Sequence, residues 1–217
     1  MYTVMLLDIH THNIPATELQ AIVSCSMPGI EQANDTAQQY RSLSVHPWYL
    51  SASNMYSQLE WVEANATDAM VLAIGEAGLD KCCDTPMEIQ MEAFRKAVAI
   101  SEKYRKPLII HSVKTSNEII GIKKELKPVQ PWIMHGFRGK PELMNMCLKH
   151  GIYISMGEKY NTITMREVPM DKLMVETDES TTSIHTLYHR AASIKNMSEK
   201  DFVEAICSNV QQVFFNH

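Results

Sequence analysis

Apolar segments of strand length recur eight times along this sequence, with helix-like segments between most of them, and this alternation constrains the fold more than any other feature. Several of the runs are nearly continuously apolar, which is typical of parallel strands buried on both faces. Strands that alternate with helices in this way predict an α/β fold, a compact (β/α)8 TIM barrel. The eight runs are 4–10, 21–26, 43–46, 70–78, 107–112, 132–137, 151–157 and 172–178.

An open doubly wound sheet is the main alternative, and two features bear on the choice. The sequence has no glycine-rich phosphate loop of the kind that such a sheet often carries. A chain of 217 residues lies near the lower size limit of a (β/α)8 barrel, so some elements must be short. We expect the early helices to be reduced, because residues 17–20 hold barely one helical turn and residues 27–40 are only weakly helical.

Helix signals are clearest in the segment 84–104. There Thr85 is expected as the cap, Pro86 as the first helical residue and Glu88 as the partner that completes a capping box. Near the C-terminal end, Ser198 and Asp201 are placed to cap the last helix. Other helices are predicted over 53–65, 116–126 and 140–150, the last ended by Gly151, and two more close the chain.

Composition predicts one domain spanning residues 1–217, because 45% of the residues are hydrophobic and no linker-like segment interrupts them. The N-terminal residues MYTVMLLD lack a positive region and reach an aspartate early, so neither a signal peptide nor a membrane span is expected. Five cysteines without a C-x-x-C motif argue against a disulfide framework and a zinc–thiolate site, and they suit a reducing cytoplasm. The net charge of −5 means that any anionic substrate must be attracted locally.

Polar residues with metal-binding chemistry fall at the carboxyl ends of the predicted strands. In a barrel these ends form one rim, so residues distant in sequence meet around a single cavity. Four imidazoles and two carboxylates are sufficient for two divalent cations bridged by a carboxylate. The residues are His10, His12, Glu76, His111, His135 and Asp178.

Each of these residues also has an ordinary structural interpretation. A single histidine in an apolar strand, such as His111, is more often a hydrogen-bonded core residue than a ligand. Glu76 could pair with a backbone donor or a basic side chain, and Asp178 could cap the following helix. Considered together they favour a metal site, because so many imidazoles and carboxylates buried side by side would be costly without a cation.

Seven blocks of the sequence resemble, in order and spacing, the signature blocks of the TatD-related metal-dependent hydrolases. The blocks are DIHTH (8–12), VHPW (45–48), AIGEAGLD (73–80), PLIIHS (107–112), MHGFRG (134–139), VETD (175–178) and NVQQVFF (209–215). The resemblance implies an amidohydrolase-type barrel and the same six residues as ligands of two metals, and several family members are magnesium- or manganese-dependent deoxyribonucleases. Residues 179–189 depart from the family, which usually has a proline-rich, arginine-containing stretch there.

The implied chemistry is hydrolysis by a metal-activated water, with two divalent ions (Mg²⁺, Mn²⁺ or Zn²⁺) as cofactors. His10 and His12 are expected to bind the first ion, His111 and His135 the second, and Glu76 to bridge them. Asp178 is expected to complete the first site and to orient or deprotonate the water, so that Asp178 and Glu76 are the catalytic candidates. Asp8 and Glu176 lie one layer deeper and are expected to hold imidazole rings in place.

Basic residues that follow the strand ends favour a phosphate-ester substrate. His46, Arg138 and Lys140 are the candidate substrate-binding residues, and Trp48 and Phe137 are the candidates for stacking on a terminal base. The alternative is that these are solvated loop charges and core aromatics. The basic residues are Lys81, Lys114, Arg138, Lys140 and Lys159, and the acids that offset them are Asp80, Asp84, Glu158 and Glu179.

The sequence therefore leaves three hypotheses about function. The first is a metal-dependent phosphodiesterase, a deoxyribonuclease that trims DNA ends, with DNA or another phosphate ester as its partner and no evident membrane or obligate protein partner. The second is a hydrolase of a small amide, lactone or ester that uses the same metals. The third is a noncatalytic metal-binding barrel that binds a partner protein.

Overall fold

Eight parallel strands form a nearly closed barrel in which every strand pairs with its neighbours in chain order. This order confirms the predicted TIM barrel and excludes the doubly wound alternative. The computed structural model describes residues 8–15, 20–30 and 39–216. The strands are β1 (Asp8–Thr11), β2 (Ala21–Cys25), β3 (Tyr40–Val45), β4 (Val71–Asp80), β5 (Leu108–Val113), β6 (Trp132–Met134), β7 (Ile152–Met156) and β8 (Leu173–Val175).

Helices lie between the later strands and after the last one. They are α1 (Met55–Asn65), α2 (Met87–Tyr104), α3 (Ser116–Leu126), α4 (Pro141–Lys149), α5 (Thr162–Glu167), α6 (Ile184–Lys195) and α7 (Glu199–Val210). The side chain of Ser198 accepts a hydrogen bond from the main chain of Asp201, as predicted for the cap of α7. Gly151, with φ of +68°, follows the end of α4, where a left-handed residue is favoured.

The capping box predicted for α2 is wrong. Pro86 is the cap residue and not the first helical residue, and its side chain makes no capping hydrogen bond. The hydroxyl of Thr85 donates instead to the main-chain oxygen of Leu50, 3.0 Å away. The hydroxyl that the local sequence pattern assigned to the helix cap therefore makes a tertiary contact.

Parts of the early predictions lie outside the described residues. These parts are residues 4–7 of the first strand, residues 17–19 of the short connection and residues 31–38 of the weakly helical segment. Within the described ranges, the first α-helix is α1, which follows β3. No helix in the described part of the chain is long and apolar enough to cross a membrane.

The barrel closes where β1 meets the segment that follows β8. The main-chain N–H of Asp178 donates to the oxygen of His10 at 3.0 Å, and the N–H of His12 donates to the oxygen of Asp178 at 3.1 Å. This pairing joins the first strand to the segment that follows the last strand. It also places three of the candidate ligands beside one another.

A buried carboxylate lies directly beneath this closure. Asp8 is 5% exposed, and it accepts hydrogen bonds from the main chain of Thr177 at 2.9 Å and from the hydroxyl of Thr177. The same hydroxyl also bonds to Thr11. Burial raises the pKa of Asp8 to about 7, although the bonds from Thr177 act in the opposite direction. Thr177 therefore links β1 to the end of β8 through a group that is costly to leave unpaired.

We expect the substitution Thr177→Val to lower the free energy of unfolding by about 2 kcal/mol, because it removes a hydroxyl that bonds to a buried carboxylate. Thr177→Ser keeps the hydroxyl and should retain most of the stability. Urea unfolding followed by circular dichroism measures both. Thr182→Val is the matched control, since its hydroxyl bonds to the exposed carboxylate of Glu158, and it should change little. Equal stability of Thr177→Val and wild type would contradict this account of the closure.

Candidate metal centre

The carboxylate of Glu76 lies at the centre of five imidazole rings. Its Oε1 atom is 2.6 Å from Nδ1 of His111, 2.6 Å from Nε2 of His135 and 3.2 Å from Nε2 of His46. Its Oε2 atom faces the other side of the cavity. The two oxygens of the Glu76 carboxylate therefore lie close to two different groups of imidazole nitrogens.

The group around Oε2 comes from the barrel closure. Nε2 of His10 is 3.2 Å and Nε2 of His12 is 3.4 Å from this oxygen. Oδ1 of Asp178 lies 3.8 Å from both of these nitrogens. The structure thus brings together all six residues that the sequence proposed as ligands, and it adds His46.

Two of these residues lie inside their strands and not at the ends, contrary to the prediction. Glu76 is followed by four more residues of β4, and His111 by two more of β5. The strands pair closely here because Gly78, opposite His111, has no side chain. A Cβ at Gly78 would lie 1.9 Å from the main-chain oxygen of His111, so this glycine permits the approach of β4 and β5.

The charges of the central groups depend on one another. Burial alone would raise the pKa of Glu76, but the imidazoles, His135 first among them, hold it well below its ordinary value. Burial likewise would lower the pKa of His135, yet Glu76 and Glu176 raise it well above the ordinary value. The pKa of His10 is lowered by burial and by the neighbouring His135. The site is therefore a coupled set of acids and bases around one buried carboxylate.

His10 gives the most direct test of whether a cation fits. It is fully buried, and neither of its ring nitrogens makes a hydrogen bond within the described residues. A buried imidazole that faces carboxylate oxygens without bonding to them has the geometry of a ligand that shares a cation with them. Three sets of donor atoms lie within 4.8 Å of one another: His10, His12 and Glu76; His10, His135 and Asp178; His46, Glu76 and His111. These buried clusters suggest metal binding, and imidazole with carboxylate suits a divalent transition metal.

Glu176 and Asp80 each contact the imidazole nitrogen that faces away from Glu76, on His135 and His111 respectively. Oε1 of Glu176 is 3.3 Å from Nδ1 of His135, and it also accepts the main-chain N–H of Gly136. Oδ2 of Asp80 is 3.2 Å from Nε2 of His111. Sequence reasoning treated Asp80 only as a loop charge, although a strand that continues past Glu76 places residue 80 on the same face.

Asp8 does not hold an imidazole ring, contrary to the prediction. In the described part of the chain its carboxylate bonds to Thr177 and, at 3.4 Å, to the main-chain N–H of His10. It therefore supports the barrel closure and not a ring of the metal centre.

His46 lies deeper than a residue of the cavity rim. Its Nδ1 accepts the main-chain N–H of Trp48 at 3.2 Å, and the residue is buried with its ring facing Glu76. A neutral ring that accepts at Nδ1 carries its proton on Nε2. His46 is therefore arranged as a hydrogen-bond donor toward the cavity.

A cavity of about 510 Å³ opens above the centre. Arg138, Lys114 and Trp48 line it, and Trp48 is 53% exposed. Phe137 also lines the cavity, but it is only 4% exposed and packs mainly in the core, so it offers far less surface for stacking than Trp48. Lys140 is exposed at the cap of α4 and is not among the residues that line the cavity.

The other basic residues expected at the rim have different surroundings. Lys81 forms an ion pair with Glu118. Lys159 lines a neighbouring cavity of about 340 Å³ together with Glu158 and Glu179. The positive groups at the main cavity are consequently Arg138 and Lys114.

Comparison with known proteins agrees with the fold and shows the family. The chain is 31% identical over 171 residues to the uncharacterized metal-dependent hydrolase YabD of Bacillus subtilis, covering 72% of this chain and 66% of YabD. It is 26% identical over 183 residues to the deoxyribonuclease Tat-D of Schizosaccharomyces pombe, covering 74% and 59%. It is 28% identical over 172 residues to the 3'-5' ssDNA/RNA exonuclease TatD of Escherichia coli, covering 68% and 62%. The chain thus spans less than two thirds of the length of these relatives.

The crystal structure of YjjV, a TatD homolog from Escherichia coli, has the same fold. The two share a TM-score of 0.80 at 19% identity, and the match covers 98% of this chain and 99% of that one. The family model described as TatD related DNase matches residues 16–215. The chain therefore belongs to the TatD related DNase family.

Proposed function

We propose that this protein is a metal-dependent phosphodiesterase that trims DNA ends. The observation that carries the proposal is the position of Glu76, whose two oxygens face separate groups of imidazoles below an open cavity. A carboxylate in this position suits a bridge between two divalent cations. The deoxyribonuclease and exonuclease named among the relatives support the same class of reaction.

The proposed ligands divide between the two oxygens of Glu76. His10, His12 and Asp178 would hold one cation on the Oε2 side. His111 and His135 would hold the other on the Oε1 side. Bound cations of this kind lower the pKa of a water molecule and stabilise charge on the attacking and leaving oxygens.

The remaining residues of the cavity would act on the substrate. Asp178 is 27% exposed at the opening, so its carboxylate can orient a water molecule and accept its proton. His46 presents its Nε2 proton toward the centre, where it can donate to a phosphate oxygen. Arg138 and Lys114 supply local positive charge on the cavity wall, and the exposed ring of Trp48 offers a flat surface for a terminal base.

Removing the negative charge of Glu76, the proposed bridging ligand, tests the metal centre. We expect Glu76→Gln to weaken binding of Zn²⁺ or Mn²⁺ and to lower kcat/KM on a single-stranded oligonucleotide at least about 100-fold, because both cation positions share this carboxylate. Calorimetry measures the first effect and release of labelled nucleotides the second. Glu125→Gln, in an exposed ion pair with Arg95, is the control and should match wild type. Full metal binding by Glu76→Gln would contradict the proposed bridge.

Removing the positive charge of Arg138 from the cavity wall tests the substrate class. We expect Arg138→Ala to raise KM for single-stranded DNA several-fold, about 1 kcal/mol, and to reduce the salt dependence of binding by about 0.7 in the log–log slope. Lys140→Ala is the matched control, because Lys140 lies two residues away and outside the cavity. The measurements are oligonucleotide turnover and binding at several salt concentrations.

Two results would count against this substrate. Equal effects of Arg138→Ala and Lys140→Ala would show that the cavity wall does not bind phosphate. Turnover of small esters or lactones by a metal-loaded protein that leaves linear single-stranded DNA intact would favour the small-substrate hypothesis. A covalently closed single-stranded circle, which has no end, should resist cleavage.

A further inference from the structure

Asp80 holds three hydrogen-bond donors at the point where the cavity wall meets the metal centre. Its Oδ2 accepts the indole N–H of Trp48 at 2.7 Å and lies 3.2 Å from Nε2 of His111, while Oδ1 accepts the main-chain N–H of Cys82 at 2.6 Å. We infer that Asp80 is a positioning residue that keeps Nδ1 of His111 directed at the metal centre and couples this ring to Trp48. The inference rests on the metal centre proposed above.

The argument begins with the two nitrogens of His111. Nδ1 faces Oε1 of Glu76 at 2.6 Å, and Nε2 faces Asp80. Both of these partners are carboxylates, which can only accept, so the ring proton is not assigned by Asp80 alone. A cation bound at Nδ1 would need the lone pair of that nitrogen, and Asp80 would then accept the proton that remains on Nε2 and hold the ring in this tautomer.

The neighbouring ring, that of His46, faces Glu76 with Nε2, whereas His111 faces it with Nδ1. The main-chain N–H of Trp48 donates to Nδ1 of His46, which leaves the proton of His46 on Nε2. Trp48 thus bonds to His46 through its main chain and to Asp80 through its indole. The result is a ligand at His111 and a donor at His46, side by side with ring centres 4.6 Å apart.

Asp80 is itself fixed on the main-chain side. Its N–H donates to Oε1 of Gln90 at 2.7 Å, and Nε2 of Gln90 donates back to its main-chain oxygen at 3.0 Å. Gln90 is buried in α2. Trp48, by contrast, is exposed and lines the cavity, so contact made by a substrate with this ring reaches His111 through a single shared carboxylate oxygen.

Metal affinity without substrate gives the first test. We expect Asp80→Asn to weaken Zn²⁺ binding about 10- to 100-fold, as is usual when the partner of a metal-binding histidine is changed. Trp48→Phe keeps an aromatic ring of smaller size and removes the indole N–H that bonds to Asp80, so we expect a loss of roughly fivefold. Calorimetry with Zn²⁺ as the probe measures both, and circular dichroism checks that each variant is folded.

Asp68→Asn is the matched control. Asp68 has the same pattern of bonds as Asp80, with one oxygen on the main-chain N–H two residues later, Met70, at 2.8 Å and the other on Arg41 at 2.6 Å. It lies on the surface between α1 and β4, and its substitution should leave Zn²⁺ affinity unchanged.

The second test observes the ring directly. Nitrogen-15 NMR of the Zn²⁺-loaded protein should show Nδ1 of His111 bound to metal and a protected proton on Nε2, and Asp80→Asn should lose that protection. Wild-type affinity and an unchanged His111 spectrum in Asp80→Asn would overturn the inference. If Asp80→Asn does not fold, Trp48→Phe decides, and unchanged Zn²⁺ affinity overturns it. Absence of Zn²⁺ and Mn²⁺ binding by wild type would overturn the proposed metal centre itself.

Discussion

One buried carboxylate, that of Glu76, organises the functional face of this barrel. A carboxylate that is 2% exposed is costly unless charged or hydrogen-bonding groups surround it. Here the surrounding groups are five imidazoles, which arrive from β1, β5 and the segments that follow β1, β3 and β6. Only a sheet that curves back on itself can bring these strands to one point, so the centre and the closure of the barrel depend on each other.

Two acids one layer deeper illustrate how the same residue type takes different tasks. Asp8 meets Thr177, and its bonds hold β1 against the end of β8. Glu176 meets Nδ1 of His135 and the hydroxyl of Ser155, so it fixes a ring of the centre. Both carboxylates are buried and both are compensated by donors. The difference arises from which donor the neighbouring strand supplies, and the closure therefore determines which acid serves the fold and which the site.

The fold could be predicted because apolar runs mark buried parallel strands, and the six candidate ligands could be predicted because such strands share a rim. The exact depth of Glu76 could not, since Ala77, Gly78 and Leu79 continue the apolar pattern and do not mark the end of a strand. The contacts of Asp80 with Trp48 and His111 could not be predicted for the same reason. The tautomer of His46 depends on a main-chain N–H, which no side-chain pattern reveals.

The basic residues show a similar limit, and they bear on what the cavity can accept. Arg138 and Lys140 are neighbours in sequence, but α4 begins at Pro141, and its exposed cap residue Lys140 does not line the cavity. In the described ranges, neither Arg138 nor Lys114 has a carboxylate within ion-pair distance, whereas Lys81 is neutralised by Glu118. The protein has a net charge of −5, while the side chains of Arg138 and Lys114 lie at one cavity without an ion-pair partner among the described residues. It would therefore attract a few phosphates at the cavity and repel a long polyanion elsewhere. This distribution of charge favours the end of a strand over the middle of a duplex as the substrate that we propose.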